Sequence, residues 1–214
     1  VDIPPKEINP MTTTRITNHD HLAFSVFSIP ALLTRPDLLP EGPGIYAALF
    51  PDGVELLARW SYFEFDSKMP STIDGHPILY AGMTKKLGIA HRVDNHVRGD
   101  SRVSSLRMSL GSLLHKGLRL RATTAPRKTY FHFSDGEDRL SAWMASNVLF
   151  AIHPCDDPGT LEKTMIQDGV FPLNITDRRA HPFSRHLMAK RHGVVAGARC
   201  VPGWSAPFLD SAAA

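Results

Sequence analysis

The chain has 214 residues with 43% hydrophobic content, enough for one filled core and at most a small appended element, so a single domain is the default. Its 24 Lys and Arg against 21 Asp and Glu leave +3 and a pI near 9.0, which suits a polyanionic partner without establishing one. No apolar run approaches the roughly 20 residues of a membrane-spanning helix, VDIPPKEINP lacks a secretory apolar stretch, and Cys155 and Cys200 stand far apart without a metal-ligand pattern; a soluble chain with buried or spectator thiols is expected, in a cytoplasmic, reducing setting.

The first ten residues, three of them proline, and the closing DSAAA carry no periodic pattern and are expected to be loose, with Met11 a candidate natural start. The proline-rich stretch 29–43 marks a leader element meeting the core. Gly44-Ile45-Tyr46-Ala47-Ala48-Leu49-Phe50 is a compact apolar run closed by Pro51-Asp52-Gly53, a strand followed by a turn. A polar insert containing Trp60, Tyr62, Phe63 and Phe65 follows, with strand-type residues of its own. Pro77-Ile78-Leu79-Tyr80-Ala81-Gly82 is a second core strand, able to pair antiparallel with the first.

From 84 to 97 the period changes, with Leu87, Ala90, Val93 and Val97 at helical spacing and Gly99 as the stop. Ser104 or Ser105 caps the next helix, whose Leu106, Leu110, Leu113 and Leu114 form an apolar face that Gly117 ends. A short strand at 129–133, a helix at 138–147 with Leu140, Trp143 and Met144, and an apolar strand at 148–152 come next. Asp157-Pro158 opens a helix in which Leu161, Met165 and Ile166 face inward and Glu162 rides along. The chain turns through Phe171-Pro172-Leu173-Asn174 and enters a basic helix at 181–192, with Gly193 as its end.

Tyr46, Tyr80, Arg92, His96, Glu162 and Asn174 are polar groups on or beside elements whose neighbours are apolar. Arg92 and His96 lie four apart in one predicted helix, so they project from one face and can meet the same phosphate or the same water. Gly44-Ile45-Tyr46 and Tyr80-Ala81-Gly82 resemble the two halves of the motif that names the GIY-YIG nuclease superfamily, with Ala81 in place of the usual isoleucine. Met83, Thr84 and Leu87, then Arg92 and His96, resemble that family's passage from strand to first helix. Leu161-Glu162 and Pro172-Leu173-Asn174 resemble its metal-binding glutamate and supporting asparagine.

The resemblance implies a mixed α+β fold, a small three-stranded antiparallel sheet flanked by helices, with the site on one face. It implies 1–40 as a partly loose extension, 41–192 as the nuclease domain with an insertion at about 52–76 between the first two core strands, and 193–214 as a tail. It also implies metal-dependent hydrolysis of phosphodiester bonds. Tyr46 would remove or orient the proton of water, Tyr80 and His96 would assist, Arg92 would hold the phosphate, and Asn174 would steady the arrangement. Glu162 would ligate one Mg²⁺ or Mn²⁺, completed by water and phosphate oxygens. A phosphodiester needs this help because it repels a nucleophile and gathers charge on oxygen in the transition state. Tyrosine, with an ordinary pKa of about 10, is a poor base, which leaves His96, near 6.5, as its rival.

Each residue alone has a blander explanation: a strand tyrosine in a core, a solvated helix face, a glutamate near a helix start, an asparagine in a turn. Their joint order carries the inference. Lys85, Lys86, Arg98, Arg102, Arg107, Arg185 and Lys190, with Arg178, Arg179 and Arg191, can form a basic track for DNA, RNA not being excluded. A zinc site from His181, His186 and His192 is a weaker reading, lacking cysteines or an HExxH pattern. Competing functions are a non-cleaving nucleic-acid-binding module of the same fold and an antibacterial toxin domain. The oligomeric state is open, a dimer being compatible with the sequence.

Overall fold

The computed structural model describes residues 22–51, 71–124, 130–175 and 182–200. Of the insertion expected at about 52–76, residues 52–70 with their four aromatic side chains lie outside the described residues, as do Met11, Thr129, Arg178, Arg179 and His181. The chain enters through β1 (Ser25–Ser28), helix α1 (Ile29–Thr34) and a 3-10 turn (Pro36–Leu38). It continues with β2 (Gly44–Leu49), β3 (Thr72–Ile73), β4 (His76–Thr84), α2 (Gly88–Val97) and α3 (Ser105–Leu114). The remaining elements are β5 (Thr123–Thr124), β6 (Phe131–His132), α4 (Gly136–Asn147), β7 (Leu149–Pro154), α5 (Pro158–Asp168), α6 (Pro182–Ala196) and β8 (Arg199–Cys200).

The main sheet has the order β1-β7-β2-β4-β3 with every pairing antiparallel. It has five strands where three were expected. The central three match the expectation, and β3 and β1 extend the two edges. β1 escapes sequence reading because Ser-Val-Phe-Ser is short and not alternating; what makes it a strand is its ladder with β7, Ser25 opposite Ile152 through Ser28 opposite Leu149. A second, small sheet has the order β6-β5-β8, with β5 and β8 parallel.

The side chains of β2 alternate between two apolar layers. Ile45, Ala47 and Leu49 pack with Ile78, Ala81, Ala151 and Met165 of α5, whereas Tyr46 and Ala48 pack with Ile89 and Val93 of α2 and Leu106 and Leu110 of α3. Burial on both faces explains why this strand reads as an unbroken apolar run, each large aliphatic side chain contributing about 1.5–3 kcal/mol.

Two boundaries differ from expectation. β4 stays in the sheet through Thr84, which pairs with Gly44, so α2 begins at Gly88 rather than at 84. Gly88 has φ +75°, and a Cβ there would collide with the Glu41 carbonyl oxygen, because the first turn of α2 is pinned to the preceding segment by Ile89 N–H to Gly42 O and Ala90 N–H to Pro40 O, both 3.0 Å. Helix α6 runs past Gly193 to Ala196. A glycine inside a helix costs about 1 kcal/mol relative to alanine, and the burial of Val194 and Val195 beyond it offsets that cost.

Candidate active site

Tyr46 of β2 faces the helical layer, directly opposite Gly82 of β4. A Cβ on Gly82 would stand 2.5 Å from the Tyr46 hydroxyl oxygen and 2.7 Å from its ring, so only glycine leaves room for the phenol to lie across the neighbouring strand. That fixes why Tyr-Ala-Gly ends in glycine. Tyr80, opposite Ala48, brings its ring centroid to 6.3 Å from that of Tyr46. His96 of α2 completes the group, 5.2 Å from Tyr46 and 5.9 Å from Tyr80 between centroids, and stacks on Phe150 of β7.

The imidazole lies between two hydroxyls. His96 Nε2 is 3.1 Å from Tyr46 Oη and Nδ1 is 2.7 Å from Ser104 Oγ, which also accepts the Arg107 N–H at 3.0 Å as the cap of α3. Burial, aided by the Arg92 and Arg107 charges, pushes the His96 pKa down to about 3, so the ring is neutral at pH 7. This runs against His96 as the group that removes a proton from water: it is buried and a very weak base. Burial, then Tyr80, raises the Tyr46 pKa well above that of an ordinary phenol, while Arg92 opposes both by charge and hydrogen bonding.

Arg92, half-buried on α2, loses proton affinity through burial but regains more from Tyr46, Tyr80 and the Glu162 carboxylate, and its pKa ends above the ordinary value. Glu162 is half-buried on α5, and its charge acts on Arg92. Asn174 does something more definite than a turn former. β3 begins opposite Pro77, and past that point the edge of β4 is closed by Leu173 N–H to Leu79 O at 2.9 Å and by the Asn174 carboxamide, which accepts from Ala81 N at 2.9 Å and donates to Ala81 O at 2.8 Å. Its side chain stands in for a strand and holds the backbone between Tyr80 and Gly82.

The basic residues disperse. Lys85 and Lys86 are exposed beyond β4, with Lys85 lying over Gly159 at the start of α5. Arg98 is exposed and pairs with Asp94 at 2.8 Å, and Arg102 is held by Asp100. Arg185 is exposed and Lys190 half-buried on α6. Arg107 is the correction: it is fully buried, bonded to Glu137 Oε2 at 2.8 Å, the Glu137 carbonyl, Ser141 Oγ and the His96 carbonyl, and cannot belong to a surface track.

Among the described residues no group of three or more His, Cys, Asp or Glu could hold a metal, so His186 and His192 form no such cluster. Glu162 offers a single carboxylate, a donor set that fits a hard cation taking its other ligands from water and phosphate, not a zinc cage. A cavity of about 310 Å³ lies elsewhere, lined by His115, His186, Ala189, Lys190, Gly193 and Val194.

The family model described as the GIY-YIG catalytic domain matches residues 44–193, which spans the cluster from Tyr46 to Asn174. The chain belongs to the GIY-YIG family. No curated protein and no solved structure matches it. Membership makes this GIY-YIG domain a nuclease-type hydrolase at the family level, with nucleic acid as the substrate class. Among its described residues no helix is long and apolar enough to cross a membrane. Sequence reading missed the link of Ser104 to His96 in this GIY-YIG domain, since the serine was legible only as a helix cap.

Proposed function

We propose that the chain is an endonuclease that hydrolyses phosphodiester bonds of DNA. The observation that carries this reading is the convergence of Tyr46, Tyr80, Arg92 and His96 on one face of the sheet, with the Glu162 carboxylate in electrostatic reach of Arg92. Arg92 binds a non-bridging oxygen of the scissile phosphate, where its planar fork offers two parallel donors. The Tyr46 hydroxyl, beside Arg92, is placed to orient the attacking water at the phosphate. His96 stays neutral and fixes the direction of the phenol through Nε2, with Ser104 holding the other ring nitrogen. Tyr80, half-buried, presents its hydroxyl on the outer side of the site, and Asn174 keeps the strand between the two motif residues in place. Glu162 would hold Mg²⁺ or Mn²⁺, which when bound would neutralise phosphate charge and stabilise the leaving oxygen.

The test is incubation of the purified chain with supercoiled plasmid and with RNA, each with Mg²⁺ or with chelator. Metal-dependent nicking or linearisation of the plasmid is expected, abolished by Glu162→Ala and reduced about 10²- to 10³-fold by Arg92→Ala, the size of effect seen when one transition-state donor is removed. Binding without cleavage under any divalent metal overturns the proposal in favour of a binding module. Cleavage of RNA alone moves the substrate from DNA to RNA.

A further inference from the structure

Helix α6 packs against α3 with Phe183, Leu187 and Val194 buried at helical spacing, and Arg191 falls in that seam, where an apolar side chain would be the ordinary occupant. Its Nη2 donates to the Ser105 carbonyl at 2.8 Å and to Ser109 Oγ, while its Nε is buried without a hydrogen-bond partner. Ser105 Oγ in turn lies 3.2 Å from the Tyr80 hydroxyl, so the guanidinium is anchored one residue away from the phenol face. Burial lowers the pKa of Arg191 to about 10, with Tyr80 acting in the opposite direction, and at neutral pH the group remains a cation.

Among the described residues that cation has no acidic counterweight. Arg35, Arg98, Arg102, Arg107 and Arg139 each have a carboxylate within 4.0 Å, whereas Arg191 has none among the described residues. The first turn of α3, onto which it folds, also contains no acidic residue, and the positive end of that helix dipole adds to the unbalanced charge. A partly buried guanidinium without an anion is costly compared with an apolar residue of similar size. Its location beside Tyr80, with Ser105 exposed, gives the missing anion a way in.

We propose that Arg191, held by Ser105 and Ser109, is a second phosphate-binding arginine of the site and takes a backbone phosphate of the nucleic acid on the Tyr80 side. The proposal rests on the reading of the phenol face as the place where a phosphodiester is gripped. Arg92 and Arg191 then flank the two tyrosines, and the substrate strand is fixed at two charges rather than one. The Nε donor that has no partner among the described residues is part of the fork that a phosphate oxygen completes after a small shift of the side chain.

The experiment is binding of a short DNA duplex in chelator, followed by fluorescence anisotropy between about 50 and 200 mM salt, with thermal melting of each variant. Arg191→Met is expected to weaken binding about tenfold at low salt, and to reduce the slope of log affinity against log salt by about 0.9, the share of one phosphate contact. Its Tm is expected to hold or rise, because an unbalanced charge gives way to an apolar side chain. Arg191→Lys is expected to keep the slope while kcat/KM stays reduced, since an ammonium supplies charge without the fork. An unchanged slope in Arg191→Met overturns the proposal, and so does a normal slope in Arg191→Gln should the methionine variant fail to fold. Because binding is read without metal, a lost slope in a chain that cuts nothing removes only the nuclease reading. A chain that cuts with its slope intact removes only the role of Arg191.

Discussion

Arg107 on α3 and Arg191 on α6 both lie on inward-facing stripes of helices, yet their surroundings are opposite. Arg107 is enclosed by Glu137, Ser141 and two backbone carbonyls, so its charge is neutralised inside the protein and serves to clamp α3, α4 and the end of α2 together. Arg191 is anchored by two serines and meets no carboxylate among the described residues. The difference teaches that burial of an arginine says nothing about its role until the neighbouring acid is found or is absent.

The largest expected effect breaks the Arg107 side of this contrast. Glu137→Ala leaves a buried guanidinium unpaired and is expected to cost about 3–5 kcal/mol, a fall in Tm on the order of 10 °C. A melting temperature within error of the parent would mean that Arg107 needs no acid. Next comes acid. The His96 pKa of about 3 in the fold lies below the ordinary 6.5, so the unfolded chain takes up a proton that the folded chain refuses. This contribution is complete above about pH 6.5 and is lost as the pH falls from there towards 3, by up to about 1.4 kcal/mol per unit. Urea unfolding from pH 7 to pH 4 is expected to show that slope, and His96→Gln to flatten it. An equal slope in the variant would detach the acid sensitivity from this residue. The smallest effect is expected for Arg98→Ala, whose side chain pairs with Asp94 at 44% and 53% exposure and sits in water. Its change in stability should stay under about 1 kcal/mol, because solvent screens such pairs, and a larger loss measured by the same unfolding curves would blur the contrast between inner and outer arginines.

The central hairpin and the first helix were legible because their signals are local. The apolar run around Tyr46, the glycine after Tyr80 and the four-residue spacing of Arg92 and His96 need no distant partner to be read. What stayed hidden depends on contacts far apart in sequence. Nothing near Asn174 announces that its carboxamide will bond Ala81, 93 positions away, and nothing near Arg107 announces Glu137, 30 positions on. The electrostatic state of the site was also illegible. An imidazole near its ordinary pKa and one pushed to about 3 are the same letter in the sequence, and only the packing of Phe150, Arg92 and Arg107 around His96 separates them.

The four residues of β1 carry a practical lesson for anyone who trims the chain. A fragment cut to the family match at 44–193 would keep every member of the tyrosine cluster yet strip the ladder partner from β7. The bared backbone would offer its hydrogen-bonding groups to any passing strand, inviting clumping, and the first turn of α2 would lose the Pro40 and Gly42 carbonyls that pin it.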